Sequence, residues 1–348
     1  MYYNTTMERS EQTYCVMIAS HISNPKRVAY LIECLGSLTV QTITIPVYLS
    51  ISFENDKIKG ELERELESTG LRSHPSLFFM FQEKKTPQMR HFQVLSNIIE
   101  QQWIMFCDDD DTYDPTRVEN LMNSIDNIKS QIDPKADVRR TVALGDDAMN
   151  VVEASNNQPK ICAGLYESHS NKDHREHRHE YWCYCVNKCI LDRFYEGLLD
   201  YPDIIDNKCC DVLFGEYMRR LGPPYIFGRL DMRLYNYRVT ENQDSITGVI
   251  QASQRVYTKN THPPPAGDPL WAEYIVDWND YLYEHLDVYL HDVFLRTIVG
   301  CSLDNILQSE FRMDYVLLPF VDDCHVAKIK QTHEYLRSVC SKLYDISL

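Results

Sequence analysis

The sequence is poor in glycine and in positive charge, and it lacks a long apolar segment. Its 348 residues include 12 glycines and 15 prolines, too few for a collagen-like or low-complexity chain. The 35 Lys and Arg residues against 51 Asp and Glu give a net charge of −16, which argues against nucleic acid or an anionic membrane surface as the main partner. No apolar run approaches the roughly 18–20 residues that cross a bilayer, so we expect no transmembrane segment.

An export signal is also missing from the first residues. Residues 1–12 are polar, and the apolar stretch at 14–19 is too short for a signal peptide. We therefore predict a cytoplasmic protein whose 12 cysteines are reduced thiols. Five of them cluster without the paired C-x-x-C spacing of a zinc site, which favours small buried side chains: Cys183, Cys185, Cys189, Cys209 and Cys210.

The length exceeds the roughly 250–300 residues at which one hydrophobic core usually stops growing, so we predict one large domain and an appendage. Residues 1–12 form a polar tail, and residues 13–250 form the main domain. Residues 251–269 form a stiff linker, because four prolines fall between 262 and 269. Residues 270–348 form an acidic helical region whose aromatic stripe indicates a small core.

Strand and helix patterns alternate through the first half of the chain. Apolar strand-like runs occur at 14–20, 46–53, 77–81 and 103–107, and helical patterns at 25–38, 56–68, 87–101 and 115–129. Later strands are predicted at 141–153, 161–166 and 235–239, and a helix at 211–221. This alternation predicts a mostly parallel sheet flanked by helices. Ligands bind such sheets outside the carboxyl ends of the strands.

The fourth strand leads straight into four acids, Asp108, Asp109, Asp110 and Asp111. Their mutual repulsion raises their pKa values unless a cation lies among them, and oxygen ligands favour Mg²⁺ or Mn²⁺. Few protein ligands are needed where substrate phosphates complete the shell. One alternative is a solvated acidic turn. Another is a calcium loop, although Tyr113 stands where such a loop needs glycine.

The segment 104–111 resembles the D-x-D-D motif of family 2-type glycosyltransferases with a GT-A fold. Further segments agree in order. They are the first strand at 16–20, the helix end S-L-x-x-Q-T at 37–42, an A-R-N-like element at 88–91 with His91 in place of Asn, and a closing Y-R and S-x-T pattern at 237–247. Thr240 and Glu241 lie where the family has His. The resemblance covers about residues 13–250.

The resemblance implies a role for each matching residue in a nucleotide-diphospho-sugar transferase. Asp110 would ligate the metal that bridges the donor diphosphate, and Asp108 would face the donor ribose or sugar. Asp111 would support the loop. The remaining donor-binding residues that it implies are Ala19, Ser20, His21, Glu54, Arg90 and Asp109. Ala19 to His21 would lie at the uracil and ribose, Glu54 would replace a base-contacting Asp, and Arg90 would neutralise diphosphate charge.

The family's general base is the Asp of an E-D pair that opens a late helix. Asp211 occupies that place with Cys210 instead of Glu before it, and Arg220 and Leu221 match the R-L that follows. Asp206 and Glu216 are the alternatives for the base. Asp211 could also have only a structural role, as an acid at a helix N-terminus whose negative charge interacts favourably with the helix dipole.

The function that follows from the resemblance is metal-dependent transfer of a sugar from a nucleotide-diphosphate donor, with a UDP-sugar favoured. The acceptor is a hydroxyl of a glycan or another molecule, and the reaction inverts by single displacement. A two-metal nucleotidyl- or phosphotransferase and a non-catalytic nucleotide-sugar-binding module are the alternatives. The histidine-rich segment 169–179 is expected to be an acceptor-side loop. The C-terminal helices offer a surface for a homo-oligomer.

Overall fold

A seven-stranded sheet organises the first of two units into which the computed structural model divides the chain, Met1–Arg238 and Val239–Leu348. The structure describes residues 13–132, 142–144, 147–149, 161–167, 180–238, 286–308 and 323–344. The strands are β1 (Tyr14–Ile22), β2 (Val47–Phe53), β3 (Leu77–Phe81), β4 (Trp103–Asp108), β5 (Thr112–Tyr113), β6 (Val142–Leu144), β7 (Asp147–Met149), β8 (Ile161–Glu167), β9 (Tyr184–Asn187), β10 (Tyr225–Leu230) and β11 (Tyr235–Asn236).

The sheet runs in the order β3-β2-β1-β4-β9-β8-β10. Strand β9 is antiparallel to both of its neighbours, and every other adjacent pair is parallel. Strands β1 and β4 are almost wholly buried, as expected of parallel strands that helices cover on both faces. The predicted class, a mostly parallel sheet flanked by helices, is confirmed.

Seven helices of the described part of this unit connect or flank the strands: α1 (Pro25–Thr39), α2 (Asp56–Ser68), α3 (Gln88–Ser96), α4 (Arg117–Gln131), α5 (Lys188–Gly197), α6 (Pro202–Ile205) and α7 (Cys210–Arg220). Helix α1 shows why they form where they do. Asn24 caps it by accepting a hydrogen bond from the Arg27 backbone N–H at 3.2 Å, and Pro25 fits the first turn. Val28, Leu31 and Leu35 then bury one face against the sheet.

Two late strands differ from the sequence prediction. Strand β10 was not predicted, yet it forms the sheet edge beside β8. The strand predicted at 235–239 is the two-residue β11, which pairs with β5 outside the main sheet. The stretch predicted at 141–153 contains the short antiparallel pair β6 and β7.

The strand order places the carboxyl ends of three strands at one edge. The chain adds β2 and β3 on one side of β1 and then crosses to add β4 on the other side. Ala19 of β1 is in register with Asp108 of β4, and His21 of β1 is in register with Ser52 of β2. Such a crossing point leaves a crevice in which ligands bind.

The described part of the second unit consists of helices, at Leu286–Ile298, Leu303–Gln308 and Asp323–Tyr344. They bury apolar side chains such as Phe294, Ile306 and Leu336. No helix among the residues that the structure describes is long and apolar enough to cross a membrane. The tail at 1–12 and the linker at 251–269 lie outside the described residues. The domain boundaries, the cytoplasmic location and the homo-oligomer stay predictions.

Candidate active site

Asp108 lies at the carboxyl end of β4, where the buried strand turns into the acidic segment. Its carboxylate accepts hydrogen bonds from the Gln88 side chain at 3.2 Å and from the Tyr181 hydroxyl. Its backbone N–H donates to the Tyr235 hydroxyl at 3.0 Å. Burial, and next the charge of Asp111, raise the pKa of Asp108 well above its usual range. The loss of solvation and the crowding of like charge therefore both disfavour the ionised form.

Arg27 is the cation that contacts the acidic segment. Its guanidinium donates to the Asp109 carboxylate and, at 2.9 Å, to Asp110 Oδ2. Asp109 is buried and also accepts a hydrogen bond from the Ser20 hydroxyl at 2.6 Å. Burial raises the pKa of Asp109 to about 6, although Arg27 opposes the rise. The first turn of α1 thus binds two of the four acids.

The segment around β11 binds the last two residues of the acidic turn, Asp110 and Asp111. Asp111 is buried and accepts hydrogen bonds from the Tyr235 hydroxyl at 2.8 Å and from the Arg238 backbone N–H at 2.6 Å. The Arg238 side chain donates to the Asp110 backbone carbonyl at 2.6 Å. Burial raises the pKa of Asp111 to about 7. These contacts fix the backbone that presents the Asp110 carboxylate.

A buried ion pair between Arg117 and Glu167 holds the backbone at Tyr235. Arg117 Nε donates to Glu167 Oε2 at 2.8 Å, and both side chains are 0% exposed. Glu167 Oε1 accepts the backbone N–H groups of Leu234 and Tyr235. The Arg117 guanidinium lies 4.1 Å from the centre of the Tyr113 ring. Glu167, the last residue of β8, therefore links the main sheet to the tyrosine that binds Asp111.

The edge formed by β1 and β2 brings together His21 and Glu54. The two ring nitrogens of His21 lie 2.9 Å from Ser52 Oγ and 3.1 Å from Glu54 Oε2. Burial lowers the pKa of His21. Of the residues predicted to bind the donor, Ala19, Ser20, His21 and Glu54 thus end strands at the same sheet edge as the four acids.

His91 extends this contact into the interior. Its ring nitrogens lie 2.8 Å from Ser50 Oγ and 3.2 Å from Ser52 Oγ, and Gln82 donates to Ser50 Oγ at 2.9 Å. Burial lowers the pKa of His91 to about 4. A continuous row of hydrogen bonds therefore leads from buried Ser50 to Glu54 at the surface.

Arg90 lies away from the acidic turn, in contrast to the position that the resemblance implies. Its guanidinium donates twice to the Asp206 carboxylate, both at 2.8 Å, and once to the Pro202 carbonyl at 2.9 Å. Its role at the diphosphate stays a prediction. Arg27, which the sequence reasoning missed, makes the contacts with the acids. The available signal was its place in the first turn of the helix that follows β1.

Asp211 is the second residue of α7 and one of the charges that raise the pKa of Tyr181, the tyrosine bonded to Asp108. Both alternative bases are bound to arginines. Asp206 pairs with Arg90 as described, and Glu216, which is buried, pairs at 2.5 Å with Arg219 and at 2.5 Å with Arg220. The role of Asp211 as the general base stays a prediction.

The acidic turn fits a cation that takes only one or two protein oxygens. Within the described ranges, no group of three His, Cys, Asp or Glu side chains has the arrangement of a complete metal site. The turn nevertheless holds four carboxylates, of which the Arg27 guanidinium binds two, and three of the four have raised pKa values. A divalent ion bound by Asp110 and by ligand phosphates would relieve that repulsion.

Two other predicted elements have different outcomes. Four of the five clustered cysteines are buried and form no disulfide, whereas Cys189 is exposed. The histidine-rich segment 169–179 lies outside the described residues, and so do Thr240, Glu241 and the S-x-T pattern at 245–247.

No protein-family model and no curated protein matches the chain. Solved structures that resemble it include S. aureus TarS 1–349 in complex with UDP, at 11% identity over 96% of this chain and 89% of that chain, with a TM-score of 0.41. The mannosyltransferase PcManGT from Pyrobaculum calidifontis, in complex with GDP-Man and Mn²⁺, is 12% identical over 100% and 92% of the two chains, with a TM-score of 0.45. A cytidylyltransferase from Leptospira borgpetersenii is 12% identical over 80% and 97%, with a TM-score of 0.40. Similarity at this level assigns no activity to this chain.

Proposed function

We propose that this protein is a divalent-metal-dependent glycosyltransferase that moves a sugar from a nucleotide-diphosphate donor, with UDP favoured, to an acceptor hydroxyl. The observation that carries the proposal is the turn of four acids at the crossing point of the sheet, in which the Arg27 guanidinium binds two of the carboxylates. That turn offers more negative charge than Arg27 offsets, beside strand ends where nucleotides bind parallel sheets.

The donor lies along the edge formed by β1, β2 and β4. Glu54 accepts an N–H group of the base, since an ionised carboxylate has only acceptor oxygens. Ala19, Ser20 and His21 border the ribose, and Asp108 accepts a ribose or sugar hydroxyl. Asp109 and Asp111 support the turn through Arg27, Tyr235 and the Arg238 backbone.

Asp110 would hold Mn²⁺ or Mg²⁺, because its side chain is 22% exposed and its backbone is held by Arg238. When bound, the ion neutralises charge on the leaving diphosphate. Asp211 accepts the proton of the acceptor hydroxyl. The acceptor oxygen then bonds to the anomeric carbon, the bond from that carbon to the diphosphate breaks with its electron pair, and the configuration inverts.

The test compares Asp110→Asn with Asp114→Asn, the same chemical change at a residue whose carboxylate binds Thr116 instead of the cluster. Calorimetry with UDP should show that Mn²⁺ increases affinity for the unchanged protein and for Asp114→Asn. Asp110→Asn should lose that increase and keep its thermal stability. An undiminished effect of Mn²⁺ in Asp110→Asn would contradict the metal assignment.

Product analysis with labelled UDP-sugars tests the reaction itself. Transfer of the labelled sugar to an acceptor or to water, with release of UDP, is the expected result. Release of pyrophosphate without sugar transfer would indicate a nucleotidyltransferase. Binding without any product would indicate a nucleotide-sugar-binding module.

A further inference from the structure

An exposed aromatic ring lies beside the acidic turn and has no part in the proposed reaction. Tyr237 is 57% exposed. Its ring stacks on Trp182 with a centroid distance of 5.4 Å and an angle of 18° between the planes. Because a ring stacked in this way has one face covered, the large exposed fraction indicates that the opposite face is open to solvent.

The stack beneath Tyr237 is rigid and is tied to the acids. Trp182 stacks in turn on Tyr235, with a centroid distance of 4.3 Å. The Tyr235 hydroxyl binds Asp111, and Arg238, the residue after Tyr237, donates its backbone N–H to the same carboxylate. The position of the Tyr237 ring is therefore fixed relative to the acidic turn by contacts on both sides of it in the sequence.

The surroundings of the ring are acidic. After burial, the charges that raise the pKa of Tyr237 are those of Asp111, Asp108, Asp110 and Glu180. A ligand that fits this place needs an apolar face for the ring and hydroxyl groups at its edge for the carboxylates. A pyranose has both, because its C–H groups cluster on one face and its hydroxyls project from the rim.

The Tyr237 ring is separate from the strand ends of β1 and β2 that are proposed to bind the donor. His21 lies in β1 and Glu54 follows β2, whereas Tyr237 stacks on Trp182, the residue that follows Tyr181. The short helix Tyr181–Cys183 packs against α7, whose second residue is Asp211. The acceptor must place its hydroxyl near the general base, so it occupies the side on which Tyr237 lies.

We infer that the open face of Tyr237 is the stacking platform for a sugar ring of the acceptor, so that the acceptor is a glycan. This inference rests on the proposed function and names the substrate class of its second site. Tyr237 binds the acceptor and takes no part in proton transfer or in metal binding.

The test uses the full chain, saturated with UDP and Mn²⁺, on an array of immobilised oligosaccharides. Tyr237→Ala should lose glycan binding by about tenfold or more, the scale of losing one stacked aromatic ring. Tyr237→Phe keeps the ring and should bind as the unchanged protein does. Phe78→Ala is the matched control, because Phe78 is 37% exposed and stacks at 5.0 Å on Tyr48 of a distant strand pair.

Calorimetry with UDP and Mn²⁺ on the same variants separates this inference from the proposed function. UDP affinity should be the same in all of them. Wild-type binding to no glycan, or full glycan binding by Tyr237→Ala, with UDP affinity intact, would overturn the acceptor platform alone. A tenfold loss of UDP affinity in Tyr237→Ala would overturn it too, because the ring would then stack on the nucleobase. Absence of UDP binding by the unchanged protein would refute the proposed function itself.

Discussion

Replacing Glu167 with Gln should destabilise the protein by about 3–5 kcal/mol, the usual cost of removing one member of a buried ion pair. Both Glu167 and Arg117 are 0% exposed and 2.8 Å apart, so the remaining guanidinium has no water to solvate it. The Gln oxygen can still accept the backbone N–H groups of Leu234 and Tyr235. The loss of stability in Glu167→Gln is therefore due mainly to the missing negative charge.

The magnitude is checked by urea unfolding, with Asp126→Asn as control. Asp126 pairs with Lys129 at 3.3 Å with both side chains well exposed, so its replacement should cost less than about 1 kcal/mol. The double variant Arg117→Met with Glu167→Gln carries no buried charge and should recover much of the loss. A cost for Glu167→Gln no larger than that for Asp126→Asn would refute the argument.

The same variant should also weaken UDP binding severalfold. Glu167 holds the backbone of Tyr235, whose hydroxyl binds Asp111 and the backbone of Asp108. A neutral Gln oxygen accepts the backbone N–H groups of Leu234 and Tyr235 less strongly than a carboxylate does, and the double variant keeps this weaker acceptor while it recovers much of the stability. Binding that recovers completely with stability would show that Tyr235 does not depend on Glu167 for its position.

Three further predictions concern single residues of the site. Asp211→Asn should lower sugar transfer by about 10²–10⁴-fold with UDP affinity unchanged, whereas Asp206→Asn should be mild; equal transfer rates in the two variants would exclude Asp211 as the base. The pKa of His91 falls from 6.5 to about 4 on folding, so His91 should lower stability by about 2 kcal/mol between pH 7 and pH 5 as the unfolded chain takes up a proton there, whereas the raised pKa values of Asp109 and Asp111 act in the opposite direction. The change in unfolding free energy from pH 7 to pH 5 should therefore be more favourable by about 2 kcal/mol in His91→Gln than in the unchanged protein, and an equal change in both would contradict that origin. Arg27→Gln should bind Mn²⁺ severalfold more tightly without nucleotide, because a competing charge 2.9 Å from Asp110 is gone; weaker binding by calorimetry would mean that Arg27 organises the metal site.

The first four strands could be predicted because each is a mostly apolar run. The runs at 14–20 and 103–107 became Tyr14–Ile22 and Trp103–Asp108, since burial on both faces leaves little room for polar residues. Strand β10 escaped prediction because its short sequence includes Gly228 and Arg229. Pairing with β8, a contact with a segment some sixty residues earlier in the chain, is what makes it a strand.

The site was predictable where its residues are neighbours in the sequence. The four acids follow one another, so their crowding is visible in the sequence itself. The partner of Asp109 is not, because Arg27 lies 82 positions away and only the crossing from β1 to β4 brings them together. The link from Arg117 to Glu167 and the bond from Arg90 to Asp206 likewise depend on packing that no local pattern encodes.

The row of hydrogen bonds from Ser50 to Glu54 has a direction that its geometry imposes. Glu54 can only accept, so the proton of neutral His21 lies on the nitrogen that faces Glu54, and its other nitrogen accepts from Ser52. Ser52 has one proton to give, so His91 must donate to it and must accept from Ser50 in turn.

Every hydrogen bond of the row is therefore donated in the direction from Ser50 to Glu54. The row reaches the surface as an unbroken series of aligned dipoles, and its last member is an acceptor. No single link can reverse unless all of them do. A nucleobase that meets this edge must bring an N–H group of its own, as uracil does at N3. Cytosine offers a lone pair at N3, which Glu54 has no proton to receive, so cytosine could meet this edge only through its exocyclic amino group.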